Sequence, residues 1–205
     1  MSKRVIAVDI DDVLSASAVG FAKFSNERWG SSLTADDYDE DWSKFWGVPL
    51  EEGIKRAGEL HDAGLFGSYD TIGQALLVLQ SLKGRYDLIV VTSRRQRIKP
   101  ETDAWLAWNF PGIFSAVHYA GFYDRDKQTD VRKALVQHKA ALCWELGVDY
   151  LVDDQLKHCL GAAECGVGAL LFGNYRWNRV AEKLPAGVTE VHNWNEVKDY
   201  FDSKS

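Results

Sequence analysis

Three short apolar runs, each stopping abruptly at polar residues, constrain this chain more than any other feature. They are Val5-Ile6-Ala7-Val8, followed by Asp9-Ile10-Asp11-Asp12; Leu88-Ile89-Val90-Val91, followed by Thr92-Ser93-Arg94; and Tyr150-Leu151-Val152, followed by Asp153-Asp154. Runs this short and this rich in β-branched residues read as strands buried on both faces, the pattern of a parallel sheet. In such a sheet ligands bind beyond the carboxyl ends of the strands, so the three polar endings should gather along one edge. Ala169-Leu170-Leu171-Phe172 reads as a further core strand and Val117-His118-Tyr119-Ala120 as a weaker one. Helical patterns over residues 72–82, 100–110 and 130–146 lie between the runs, and residues 194–201 read as a closing amphipathic helix. The alternation predicts an α/β fold, a doubly wound parallel sheet with helices on both faces.

Residues 15–69 break this alternation, because a connection between core elements is normally a few residues long. We expect residues 1–14 and 70–205 to form the α/β core and 15–69 to be a small helical cap inserted after the first strand, overhanging its carboxyl end. Helix-like stretches over 19–29 and 50–62 flank the acidic, aromatic segment Asp36-Asp37-Tyr38-Asp39-Glu40-Asp41-Trp42.

With 46% hydrophobic and 26% charged residues among 205, the composition is that of a globular protein. No apolar run reaches the ~18 residues of a membrane span. The 24 basic residues are outnumbered by 30 acidic ones, for a net charge of −6, which supplies no general field for duplex nucleic acid and leaves a small anionic substrate open. Cys143, Cys159 and Cys165 form no CxxC pair and the histidines are scattered, so neither a disulfide framework nor a zinc site is indicated. The first apolar run is too short for a signal peptide, and a cytoplasmic location is expected.

Asp9 and Asp11 stand two apart at a strand end, so their side chains share one direction wherever strand geometry persists. Asp153 or Asp154 joins them from the third ending. At ~4 Å and an effective dielectric near 20, each carboxylate pair repels by about 4 kcal/mol, and such a cluster calls for a cation. Oxygen ligands without His or Cys point to Mg²⁺. A carboxylate neutralised in this way can attack phosphorus to give an aspartyl-phosphate, while a second protonates the leaving oxygen and then deprotonates water. A lone strand-end aspartate more often caps the turn that follows; the convergence of three endings favours the chemical reading.

Thr92 and Ser93 offer hydroxyls, and backbone N–H groups where a turn or helix begins, to a phosphoryl group. Arg94 opens a basic run with Arg95, Arg97 and Lys99 that can grip a second phosphate or a nucleotide's ribose-phosphate face, although such a run is more often a solvated loop. Lys139, on the helix before the third run, is placed to neutralise charge on attacking and phosphoryl oxygens, with Lys127, Arg132 and Lys133 competing for that role.

Taken in order, Asp9-Ile10-Asp11-Asp12-Val13, Val91-Thr92-Ser93-Arg94, Lys139 and Leu151-Val152-Asp153-Asp154 resemble the four motifs of the haloacid dehalogenase-like (HAD) superfamily of phosphatases, across most of the chain. The resemblance implies Asp9 as nucleophile, Asp11 as general acid/base, Ser93 as phosphate binder and Lys139 as charge stabiliser. It implies Mg²⁺ held by Asp9, the Asp11 backbone carbonyl and Asp154, with Asp153 supporting. Asp11 favours a phosphatase, since the superfamily's dehalogenases lack that second acid. The insertion, the phrase from Asp9 to Leu14 and the ending Phe172-Gly173-Asn174-Tyr175 are similar to the 5'-nucleotidase/deoxyribonucleotidase-like branch. That likeness implies hydrolysis of a small phosphomonoester, with a nucleoside monophosphate as the candidate. Asp12 and Val13 occupy positions where many relatives have Gly and Thr. A catalytically silent binding or regulatory protein of the same fold would lack a motif residue, and none is missing. A receiver domain would carry its phosphorylated Asp on a later strand, where this chain has Thr92-Ser93.

Among the insertion's aromatics, Trp42 and Tyr38 are the candidates to stack on a nucleobase because they sit among charges, whereas Trp29, Phe45 and Trp46 equally suit a core. The acidic residues 36–41 are expected to face water or cations, with Thr34 starting a helix. Gly166-Val167-Gly168 precedes a strand, the wrong order for a dinucleotide-binding loop. His158, Cys159 and Cys165 are expected to be buried on a helix.

Overall fold

The computed structural model describes residues 3–120, 139–180 and 183–204. Its frame is a single six-stranded sheet in the order β3-β2-β1-β4-β5-β6, every neighbouring pair being parallel. The strands are β1 (Arg4–Val8), β2 (Tyr86–Thr92), β3 (Ala116–Tyr119), β4 (Tyr150–Asp153), β5 (Gly168–Phe172) and β6 (Val188–Val191). Five follow the runs read from the sequence. The sixth, Val188-Thr189-Glu190-Val191, lies at the sheet edge with its two central residues exposed, so it never acquires the continuous apolar run that marks a strand buried on both faces.

Side-chain alternation divides the sheet between two cores. Ile6, Val8, Leu88, Val90, Val152 and Leu170 face one side, packed on α4 (Ala75–Leu82), α5 (Lys99–Asn109) and α8 (Trp194–Asp202). Ala7, Ile89, Val91, Leu151, Ala169 and Leu171 face the other, against α7 (Leu156–Glu164) and the helical residues 139–145, α6. The doubly wound arrangement follows from this period of two in strands that are apolar at both parities. Of the helix expected over 130–146, the part before residue 139 lies outside the described residues. His158 and Cys159 are buried on α7, while Cys165 is exposed just past its end, a correction to the burial expected for all three. Among the described residues no helix is long and apolar enough to cross a membrane.

Between β1 and α4 the chain builds α1 (Ser17–Trp29), α2 (Trp42–Trp46) and α3 (Leu50–Asp62). They close on Phe21, Phe45, Leu60, Phe66 and Tyr69, with Tyr38, Trp42 and Trp46 packed around them. α2 is a single turn that no helical period could announce, started by Asp41, whose side chain accepts from the Ser43 N–H. Thr34 starts only a three-residue 3₁₀ turn, its N–H and hydroxyl both donating to Asp37 at 2.8 Å.

Two backbone positions set the carboxyl edge. Asp12 has φ 55°, the left-handed region that Asp tolerates better than most residues. There its carboxylate accepts the Ala18 N–H at 3.0 Å and caps α1, while its own carbonyl accepts the Tyr175 hydroxyl at 2.8 Å. Gly173, just past β5, has φ +90°, and a Cβ there would fall 2.2 Å from the Tyr175 ring. Gly166, at φ +80°, has open space around it. Gly173→Ala should therefore cost more than the ~1–3 kcal/mol of backbone strain that Gly166→Ala bears alone. Thermal melts of the two variants should rank Gly173→Ala clearly lower, and equal melting temperatures would contradict the assigned clash.

Candidate active site

β1 and β4 are neighbours at the point where strand order reverses, with β2 on one side of β1 and β4 on the other. Register carries the pairing one residue further, the Asp9 N–H donating to the Val152 carbonyl at 3.0 Å. The endings of β1 and β4 are thereby held side by side, and Asp9, Asp153 and Asp154 each offer a carboxylate oxygen within 4.8 Å of the others. All three are buried.

The buried cation facing this cluster is Lys139, 1% exposed at the start of the described part of α6. Its Nζ lies 2.8 Å from Asp9 Oδ1 and donates to Asp153 Oδ2 at 2.6 Å. Lys127, Arg132 and Lys133, the other candidates for that role, lie outside the described residues. Burial works to discharge Lys139, but Asp153 and Asp9 outweigh it and hold the ammonium well above its ordinary range. Asp153 responds in kind: burial would raise it, and Lys139 holds it below the ordinary carboxylate range. One ammonium does not cover the rest. Burial pushes Asp9 up to about 7 against the pull of Lys139, with Asp153 and Asp11 adding to the rise. Asp154 is driven well above the carboxylate range by burial and then by Asp153, Asp12 and Asp9.

The two adjacent aspartates differ in what their oxygens already accept. Asp153 takes Lys139 Nζ on Oδ2 and the Gln155 N–H on Oδ1 at 2.9 Å, so both oxygens are engaged. Asp154 takes Gln155 Nε2 and Trp177 Nε1 on the same Oδ2, each at 2.7 Å. Both hydrogen bonds described for the Asp154 carboxylate fall on Oδ2, and Asp9 Oδ1, though paired in charge with Lys139, has no well-aligned donor. Oxygen donors, excess negative charge and an oxygen without such a donor together fit a hard divalent cation.

Asp11 also lines the cavity beyond this cluster, but its carboxylate is engaged elsewhere. Arg94 grips it with Nη2 at 2.8 Å and Nε at 3.1 Å, and the Ser17 hydroxyl donates to it at 2.5 Å. Burial would raise Asp11, but Arg94 and Ser17 outweigh it and hold the carboxyl low. The Arg94 side chain is 1% exposed, lies 5.0 Å over the Phe66 ring and donates to Thr102. Arg97 pairs with Asp62 and Lys99 with Asp103, so the basic run is largely spent on internal partners. Ser93 lines the cavity, whereas Thr92 is fully buried and its hydroxyl accepts the Arg94 N–H at 3.2 Å. No helix starts at Ser93; a short 3₁₀ turn at Gln96–Ile98 leads into α5.

The insertion supplies the cavity's other wall through Phe21, Tyr38, Trp42, His61 and Phe66, and the cavity volume is ≈ 90 Å³. Trp29, Phe45 and Trp46 do not reach this cavity. Burial pushes the His61 imidazole down to about 4, and its Nδ1 lies 2.5 Å from the Ala57 carbonyl. Glu40 is half-buried on the same wall and ion-paired with Lys157 of α7. Its partner is a cation, one of the two surroundings expected for the acidic segment. Sequence reasoning assigned no part to Trp177 and Gln155, the donors on Asp154. The signal for Trp177 was its position a few residues after Phe172, since β5 ends at the same edge as β1 and β4.

Comparison with known proteins accords with this geometry. The family model described as "5' nucleotidase, deoxy (Pyrimidine), cytosolic type C protein" matches residues 3–204. "Putative nucleotidase BH1399" of Halalkalibacterium halodurans is 24% identical over 98% of this chain and 93% of its own length. "Putative 5'(3')-deoxyribonucleotidase" of Staphylococcus epidermidis is 25% identical over 99% of this chain and 98% of its own. In fold, the chain is similar to a haloacid dehalogenase-like hydrolase of Streptococcus pneumoniae, with a TM-score of 0.66 at 16% identity over 97% of this chain and 98% of that one. The chain belongs to the cytosolic type C 5'-nucleotidase family, a family of phosphatases within the haloacid dehalogenase-like superfamily.

Proposed function

We propose that this protein is a Mg²⁺-dependent phosphohydrolase that cleaves a nucleoside monophosphate through an aspartyl-phosphate on Asp9. The observation that carries the reading is the convergence of Asp9, Asp153 and Asp154 within 4.8 Å, beside Lys139, in a cavity walled by aromatic rings. Mg²⁺ would be held by Asp9, the Asp11 backbone carbonyl and Asp154, with Asp153 supporting through Lys139, and would neutralise charge on the carboxylate and phosphoryl oxygens.

In the first step a carboxylate oxygen of Asp9 bonds to phosphorus as the ester P–O bond breaks, and Asp11 gives a proton to the departing alkoxide. In the second, Asp11 as carboxylate takes a proton from water, the water oxygen bonds to phosphorus, and the bond to Asp9 breaks to release phosphate. The Arg94 grip keeps Asp11 ionised, the form that the second step needs, and has to loosen when Asp11 enters the first as an acid. Ser93 and Lys139 hold the phosphoryl oxygens. Arg94 acts through Asp11 and Thr92 through the Arg94 backbone, a narrower part for both than direct phosphate binding.

Residues 15–69 act as the cap. A volume of ≈ 90 Å³ is well below the ~300 Å³ at the small end of ligand pockets, so the cavity in this arrangement suits the phosphoryl group, and the cap lifts to admit a nucleoside. Tyr38 and Trp42 then flank the base, each stacking contact being worth ~1–3 kcal/mol.

A panel of nucleoside monophosphates, sugar phosphates and phospho-amino acids, assayed with Mg²⁺ for phosphate release, tests the reading. Nucleotides should be preferred, EDTA should abolish release, and Asp9→Asn should reduce it to background. More than a few per cent of residual turnover would remove Asp9 as nucleophile, and a uniformly inert wild type would remove the function. Asp11→Asn should slow aspartyl-phosphate formation by roughly 10²–10⁴ with a nucleotide, whose alkoxide needs a proton, and by much less with p-nitrophenyl phosphate; equal losses in single-turnover experiments would contradict the acid role. Lys139→Met leaves Asp9 and Asp153 buried without their cation and should cost about 3–5 kcal/mol at pH 7 without divalent ions. In that variant both carboxyls have folded-state pKa values raised above their unfolded ones, so the deficit should shrink as pH falls from 7 to 5. Urea unfolding at the two pH values checks the sign, and a constant deficit would refute it.

A further inference from the structure

We propose that Trp177 is a positioning residue for the cation site, fixing the carboxylate of Asp154 so that one oxygen is left to the metal. The proposal rests on the reading of Asp154 as a cation ligand and adds what holds that ligand in place. Trp177 lies in the 3₁₀ turn Arg176–Asn178, after β5, and does not line the active-site cavity. Its indole Nε1 donates to Asp154 Oδ2 at 2.7 Å, on the oxygen that also accepts Gln155 Nε2 at 2.7 Å. Two donors on one oxygen fix the rotation of a carboxylate and leave the other oxygen's lone pairs uncommitted. An indole N–H donates and cannot accept, so Trp177 offers nothing that competes with Asp154 for the cation.

The donor itself is held on three sides. The indole stacks on Tyr175 at 4.5 Å with an interplanar angle of 3°, and meets the Tyr38 ring edge-on at 5.1 Å. Asn178, buried next to it, donates through Nδ2 to the backbone carbonyls of Asp154 and Phe172, at 3.1 and 2.8 Å, and accepts the Tyr175 N–H. The turn is thus tied to the ends of β4 and β5 together. Tyr175 in turn reaches the Asp12 carbonyl, so one aromatic pair braces the loop after β1 and the ligand after β4. Partners of this kind, which orient a ligand without touching the metal, typically account for 10–100-fold in metal affinity.

Trp177→Phe keeps the ring on Tyr175 and removes only the donor. Calorimetric titration of the purified protein with Mn²⁺, and then Mg²⁺, should show the variant binding 10–100-fold more weakly than wild type, with circular dichroism and melting temperature of the metal-free forms nearly unchanged. In steady-state assays the Mg²⁺ concentration giving half-maximal rate should rise by the same factor, while kcat at saturating Mg²⁺ stays within a few-fold. Gln155→Leu, which removes the second donor on the same oxygen, should weaken binding in the same direction and serves if Trp177→Phe folds poorly. Asp154→Asn, titrated alongside, separates the two failures. If Asp154→Asn abolishes binding while Trp177→Phe and Gln155→Leu bind as wild type does, the positioning role is overturned and the cation site stands. If Asp154→Asn binds as wild type does, the reading of Asp154 as ligand falls and the proposal with it.

Discussion

Lys139 faces more buried negative charge than it can neutralise, and the carboxyl edge of the sheet is organised around that imbalance. Its ammonium contacts Asp9 and Asp153, while Asp12 and Asp154 stand nearby, also buried. Breaking a buried pair on one side is expensive because it strands a charge, so the position of Lys139 is over-determined from two strands at once. The parallel pairing of β1 with β4 makes that possible, since it sets residues 9 and 153 at equivalent heights on adjacent strands. What remains uncompensated falls on Asp9, Asp12 and Asp154, the three carboxyls driven upward by burial and by neighbouring carboxylates. Fold stability and the demand for a cation therefore arise from the same few side chains.

The insertion is joined to this edge at both of its ends. Asp12 caps α1 from the loop after β1, and the far end returns through Phe66, beneath the Arg94 guanidinium, and Tyr69, whose carbonyl accepts the Trp105 indole N–H. Between these ends the insertion meets the core through Glu40 with Lys157 and Tyr38 with Trp177. The end attachments are buried, whereas Glu40 and Lys157 keep partly exposed side chains, and ion pairs in contact with water contribute little. Such a distribution is what the proposed opening of the cap requires.

The core strands were legible because burial on both faces leaves no choice of residue type, and a continuous apolar run ending in Asp can be read without knowing any partner. The long helices of the insertion, over 17–29 and 50–62, were legible from their length. β6 and α2 were not, one because an edge strand keeps polar residues and the other because five residues carry no period. At the site, the sequence identified which residues meet but not how their atoms are shared. Thr92 and Ser93 are equivalent as letters, yet one hydroxyl turns inward to a backbone N–H while the other residue lines the cavity. Arg94 read as a phosphate grip because nothing local shows that Asp11, 83 positions away, already occupies it.

The same limit applies to Asp153 and Asp154, which are adjacent and chemically identical. Their difference comes from strand alternation: one side chain points toward α6 and meets Lys139, while the next points toward the β5 loop and meets Trp177. Asp153, accepting on both oxygens, is committed to holding the ammonium and the turn that follows β4. Asp154 accepts twice on one oxygen, and the other is the one proposed for the cation. A two-residue carboxylate motif at a strand end thus divides into a supporting member and a presenting member without any difference in residue type. The division follows from the two faces of a β-strand, and a one-residue shift in the register of β4 would put Asp154 where Asp153 stands and Gln155 where Asp154 stands.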